Sequence, residues 1–165
     1  MRMSKEKTKI KSDGSVQEKY KVILRGWEDV GTGWRSRWLR FGTGSVMTHC
    51  TLSIGGLTLH VDCNAHNWYP TLRLMHSYVN NYVLRKEVYI GSVERPIYTR
   101  PEAVSTWSVI KWKYLFGKRP KTCSTACIEA LKQNGIDCPE LIVPHQLVRY
   151  FKHDYSRAKR KSQNR

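Results

Sequence analysis

Three side chains in this sequence have the types needed for thiol chemistry: Cys123, His49 and His60. Cys123 opens the run Cys123-Ser124-Thr125-Ala126-Cys127-Ile128-Glu129-Ala130-Leu131, which the spacing predicts as a helix beginning at the cysteine. Thr122 is an acceptable N-cap, no Pro or Gly interrupts Ser124 to Gln133, and Gly135 supplies the stop. A thiol in the first turn lies at the positive end of the helix macrodipole, which favours thiolate. A thiol nucleophile also needs a base, and the base needs a third group to fix its tautomer and orientation. In that scheme Cys123 attacks a carbonyl and His49 serves as general base, then acid. His60 orients His49, with Asp62 as the substitute if the strand register differs. The backbone amides of Cys123 and Ser124 stabilise the oxyanion.

The histidines must be positioned by the segment Val46 to Asp62. Two β-prone runs flank Gly55-Gly56, which predicts a hairpin with a two-residue loop. That register sets His49 opposite Asp62, Thr51 opposite His60 and Ser53 opposite Thr58. One face then carries His49, Thr51, Ser53, Thr58, His60 and Asp62, and the other Cys50, Leu52, Ile54, Leu57, Leu59 and Val61. The cysteine helix is expected to pack against the face bearing the histidines. Around the hairpin, Tyr20 to Leu24 reads as a strand and Asn64 to Pro70 as a loop. Leu72 to Asn81 is β-prone, and Tyr82–Leu84 and Val88–Ile90 read as strands on either side of an Arg85-Lys86-Glu87 turn. A helix is predicted from Pro101 to Gly117, and a short one over His145 to Tyr150. The organisation expected is one α+β domain over residues 20–153, between basic disordered tails at 1–19 and 154–165.

Composition leaves other readings open. The chain has 165 residues and a formal net charge of +16, a field that draws nucleic acid, anionic lipid or an acidic partner. Trp34 to Phe41 mixes aromatic residues with Arg35, Arg37 and Arg40, either as a polyanion-binding patch or as an amphipathic helix with its arginines in water. The five cysteines are odd in number, in a chain of a length that argues against a disulfide framework. His60, Cys63, Cys123 and Cys127 offer a zinc ligand set, against which stands the lack of any Cys-x-x-Cys pair, so no metal and no cofactor is expected. Two sheet histidines beside a buried structural cysteine remain the bland alternative. No secretory signal and no membrane-spanning run is visible, so a cytoplasmic protein is expected, with virion association or export by a route without a signal as the alternative.

A resemblance adds to these residues. Val22-Ile23-Leu24, then Ser36 through the Thr48-His49 start of the hairpin to Gly55-Gly56, and later Cys123-Ser124 with Ala130-Leu131, Gly135-Ile136 and Pro144-His145-Gln146-Leu147, look like the circularly permuted papain-like amidases. These are the YiiX-type relatives of NlpC-type cell-wall hydrolases, related also to the lecithin:retinol acyltransferase group. The chain order His49, His60, Cys123 is the order of the permuted group. The resemblance covers about residues 22–151 and implies an antiparallel sheet packed against the Cys123 helix. It implies a nucleophile at Cys123, a base at His49 and a third polar group at His60. The activity it implies is amide hydrolysis through an acyl-enzyme on a peptide or amide substrate. Acyl transfer or ester hydrolysis on a lipid uses the same triad, and a non-catalytic basic protein that binds nucleic acid or a virion partner is the reading from another class.

Overall fold

The computed structural model describes residues 6–10, 16–30, 37, 41, 44–61, 66–78, 80–100, 122–141 and 143–155. Arg35, Arg40, Asp62, Cys63, the helix expected from Pro101 to Gly117 and the tail beyond Tyr155 lie outside them. Of the basic-aromatic segment, Arg37 and Phe41 are described, and both are helical and exposed.

One long strand organises the sheet. β1 (Glu6–Ile10) pairs antiparallel with the first part of β2 (Val16–Asp29), in the register Glu6 to Lys19. The expected disordered tail over residues 1–19 is therefore in part a β-ribbon. Alternation explains why: Lys5-Glu6-Lys7-Thr8-Lys9-Ile10 is strand-compatible once β2 offers it a ladder to complete. Further along, β2 carries β3 (His49–Ile54) on one edge and β6 (Tyr82–Val93) on the other. The sheet continues from β3 to β4 (Leu57–Val61) and β5 (His66–Pro70). β5 replaces the loop expected from Asn64 to Pro70. It pairs with β4 from Leu57–Pro70 to Val61–His66.

The hairpin has the predicted register, with Leu52 opposite Leu59, Ser53 opposite Thr58 and Ile54 opposite Leu57. Gly55 has φ +65°, the left-handed conformation that a two-residue hairpin loop with glycine first requires. β6 runs straight through the expected Arg85-Lys86-Glu87 turn. The charges are tolerated because β2 supplies opposite ones: Arg25 Nε donates to Glu87 Oε2 at 2.6 Å, and Arg85 pairs with the buried carboxylate of Glu28. The register slips between Val22 and Ile23 and between Gly26 and Trp27, leaving Ile90 and Arg85 as the unpaired extra residues of two bulges. Each bulge re-aims a side chain, Ile90 into the core and Arg85 onto Glu28.

Both faces of the central strands are covered. On one, Val22, Leu24, Cys50, Leu52, Ile54, Leu59 and Val61 meet α2 (Cys123–Gln133), α3 (Pro144–Arg149) and Phe151 of the π-helical segment Tyr150–Asp154. On the other, Trp27 packs with Leu74 and Tyr78 of α1 (Thr71–Tyr78), with Tyr69 and Tyr82 against them. α1 falls where a β-prone run was expected. Leu74 and Tyr78, one turn apart, are its buried residues, and a helix of eight residues is too short for its periodicity to stand out. Among the described residues no helix is long and apolar enough to cross a membrane.

α2 has the ends the sequence calls for. Thr122 Oγ1 accepts from the Thr125 amide at 3.2 Å, and Thr125 Oγ1 accepts from the Thr122 amide at 2.7 Å, closing a capping box. At the far end Gly135 has φ +73°, and the amides of Gly135 and Ile136 donate to the carbonyls of Lys132 and Leu131. That pattern is a Schellman motif.

Candidate active site

The capped start of α2 sets the position of Cys123. The cap and first helical bond use the amides of Thr125 and Ala126, so those of Cys123 and Ser124 lie ahead of them at the helix mouth. Ser124 is fully buried and Cys123 half-buried. The helix does not lie on the histidine face as expected. It packs on the apolar face, where Cys50, Leu52 and Ile54 of β3 receive Ala126, Cys127 and Leu131. The reason is the pattern of α2 itself, whose buried side is apolar apart from Ser124. His49 is the first residue of β3 and Cys123 the first of α2.

His49 is 7 % exposed, and its ring is held by a residue the sequence did not reveal. Tyr78, the last residue of α1, brings its hydroxyl 2.8 Å from His49 Nε2 and into hydrogen-bonding contact with His60 Nδ1. His60 therefore reaches His49 through Tyr78. The two imidazoles stand edge to face with centroids 5.3 Å apart. A tyrosine hydroxyl has one proton to donate. If His49 Nε2 carries hydrogen and donates to Tyr78, the hydroxyl donates on to His60 Nδ1, and His49 Nδ1 is left as a lone-pair acceptor. That is the tautomer a base needs when it works through Nδ1. Tyr82 stacks on Tyr78 at 4.5 Å and Trp27 packs against it at 4.8 Å. Trp27 is itself anchored by donation from Nε1 to Thr51 Oγ1 at 2.9 Å. The clamp on His49 is thus built from β2, α1 and β6 together.

The thiol of Cys123 has Cys50 and His49 as its interacting neighbours. Its pKa stands well above the ordinary thiol value, raised first by hydrogen bonding with Cys50, then by burial, and countered by the charge and hydrogen bonding of His49. The thiolate expected from the helix start alone is not the resting form. A helix end contributes a partial charge, which a neighbouring thiol and loss of solvent outweigh here. Cys50 sits at the centre of the sulfur cluster, with its Sγ 3.6 Å from Ser124 Oγ and 3.9 Å from Cys127 Sγ. The Cys50 pKa is also well above ordinary: Cys123 pulls it down, while Cys127 and burial push it up.

Of the expected site residues, His49, His60 and Cys123 are brought into one neighbourhood, with Cys123 and Ser124 amides at the helix mouth. Asp62 lies outside the described residues, and Tyr78 does the bridging. Arg37 is exposed. Among the described residues no group of three His, Cys, Asp or Glu side chains is arranged to hold a metal ion. No family model, curated protein or solved structure matches the chain.

Proposed function

We propose that the protein is a cysteine hydrolase that cleaves an amide bond through an acyl-enzyme on Cys123, within a permuted papain-like fold. The observation that carries this reading is the clamp on His49: one ring nitrogen is held by Tyr78 while the imidazole acts on the thiol at the start of α2. The antiparallel sheet, the capped cysteine helix and the order His49, His60, Cys123 support the fold assignment.

Because the resting thiol is protonated, proton transfer to His49 Nδ1 accompanies attack on the carbonyl. The tetrahedral oxyanion is received by the amides of Cys123 and Ser124. His49 then returns the proton to the leaving amine; in deacylation it takes a proton from a water that attacks the acyl carbon, the C–S bond breaks, and Cys123 leaves as the thiol with that proton. Tyr78 and His60 do not touch the substrate; they keep His49 Nδ1 turned to the thiol.

The test is intact-mass detection of an acyl adduct after incubation with activated peptide amides and with acyl lipids. An adduct lost in Cys123→Ala and His49→Ala, and retained in Cys127→Ala, supports the hydrolase, and the preferred donor separates amide from lipid chemistry. Steeply salt-dependent binding of polyanions that survives Cys123→Ala, with no adduct from any donor, overturns it in favour of a basic binding protein.

A further inference from the structure

The histidine face of the sheet carries a second hydrogen-bonded ladder, which the proposed chemistry leaves unused. Arg25 Nη1 donates to Ser53 Oγ at 2.5 Å, Ser53 Oγ lies 2.5 Å from Thr58 Oγ1, and Thr58 Oγ1 lies 2.8 Å from Thr71 Oγ1. An arginine only donates, and each hydroxyl has one proton to pass on, so the ladder runs from Arg25 through Ser53 and Thr58 to Thr71. Arg25 is held in turn by Glu87, to which its Nε donates at 2.6 Å. Ser53 and Thr58 are buried and Thr71 is half-buried. A buried hydroxyl costs stability unless it is bonded, so Thr58 depends on both of its neighbours.

Thr71 is the first residue of α1 and Tyr78 the last. With Leu74 they fall at i, i+3 and i+7, which puts all three on one face of the helix. Thr58 and His60 stand two apart on β4 and share a strand face. α1 is thus pinned to β4 at both ends, Thr71 to Thr58 and Tyr78 to His60. A helix of eight residues is not stable alone, and its buried residues are only Leu74 and Tyr78. Released at Thr71, it can rock about Leu74. Tyr78 lies four residues beyond, about 6 Å, so a rock of about 10° moves it by about 1 Å. That displacement breaks the 2.8 Å contact with His49 Nε2.

We infer that Thr71, anchored through Thr58 and Ser53 to Arg25, is a positioning residue for His49: the ladder fixes the first turn of α1 and so keeps the Tyr78 hydroxyl between the two imidazoles. The inference rests on His49 acting as the base toward Cys123 in the proposed reaction. Thr71 does not touch the reacting atoms and acts through Tyr78. Both ends of α1 are referred to the same strand, because β2 carries Arg25 at the foot of the ladder and Trp27 against the Tyr78 ring at 4.8 Å. Misplacing a catalytic group by about 1 Å costs up to about a hundredfold in rate, so a hydroxyl far from the thiol bears on the chemistry.

The experiment measures iodoacetamide labelling of Cys123 and acyl-adduct formation in the full-length chain, Thr71→Val, Thr71→Ser, Tyr78→Phe and the double variant Thr71→Val with Tyr78→Phe. A urea melt shows that each is folded. In Thr71→Val both rates should fall by roughly tenfold, while Thr71→Ser, which keeps the hydroxyl, should stay within about twofold of the parent. On the Tyr78→Phe background, Thr71→Val should change either rate by less than about twofold, because the hydroxyl it positions is already gone. A Thr71→Val chain as fast as the parent, or a Thr71→Ser chain as slow as Thr71→Val, overturns the inference. An equal loss with and without the Tyr78 hydroxyl also overturns it, by showing that Thr71 supports the fold alone. If Thr71→Val does not fold, Thr71→Ala carries the same comparison, since alanine favours the helix at this half-buried position. Labelling that follows the expected pattern without any acyl adduct would remove the hydrolase reading alone. An adduct formed at the parent rate in Thr71→Val would remove this one alone.

Discussion

The Tyr78 hydroxyl lies 2.8 Å from Nε2 of His49, and the same oxygen contacts Nδ1 of His60. Tyr78→Phe keeps the ring that stacks on Tyr82 and Trp27 and removes only that oxygen. His49 is then free to take either tautomer. Acyl-adduct formation should fall by roughly a hundredfold or more, as for loss of a positioned general base. The stability loss should stay near about 1–3 kcal/mol, the cost of leaving buried ring nitrogens without a partner. Adduct kinetics beside a urea melt will check both. A rate unchanged from the parent would remove Tyr78 from the site.

Cys50 has the largest upward influence on the Cys123 thiol, and His49 a downward one. The pH profile of iodoacetamide labelling at Cys123 should therefore move to lower pH in Cys50→Ala. In His49→Ala it should move to higher pH. Shifts in the same direction in both variants would contradict the arrangement of the two neighbours.

Alkaline solution should destabilise the fold. Cys50 and Cys123 are held well above the ordinary thiol value, and burial pushes Cys138 up to about 11. In the unfolded chain thiols lose their protons near pH ~8.5, so above that point the folded state binds more protons than the unfolded one. The stability from these groups is complete below the ordinary thiol range and declines as pH rises through it toward the folded values. Urea melts between neutral and strongly alkaline pH should show the decline, and Cys138→Ala should flatten it. A level profile would contradict the burial of these thiols.

Gly55→Ala and Gly44→Ala separate two costs of left-handed backbone. Both glycines have positive φ, +65° and +60°. A Cβ on Gly55 would stand 2.6 Å from Cδ1 of Tyr20, whereas one on Gly44 meets nothing within 4 Å. Gly44→Ala should cost about 1–2 kcal/mol from backbone strain alone. Gly55→Ala adds overpacking of about 1–3 kcal/mol and loosens the hairpin that carries both histidines. Thermal unfolding of the pair measures the difference, and equal losses would show that Tyr20 moves aside without cost.

The hairpin was legible in the sequence because its turn and its alternation are local, and both agree on one register. The ends of α2 were legible for the same reason, with Thr122 and Gly135 marking them. What escaped was set by partners distant in the chain. Arg85-Lys86-Glu87 looks like a turn until Arg25 and Glu28 of β2 stand beside it. Tyr78 looks like one more β-prone aromatic residue until α1 carries it between His49 and His60. The side of the sheet that α2 would cover also escaped, because alternation defines two faces without saying what packs on either. With it went the sign of the Cys123 shift, which depends on Cys50.

Chain order gives the site a built-in delay. β2, β3, β4 and α1 are all synthesised by Tyr78, so the imidazole–phenol–imidazole relay can assemble as soon as that part of the chain has left the ribosome. Cys123 arrives only with α2, after the strand β6 that closes the far edge of β2. The Cys123 sulfur is thus the last component delivered, onto a sheet already complete. A nascent chain carries both imidazoles and the Tyr78 hydroxyl well before it carries the Cys123 thiol.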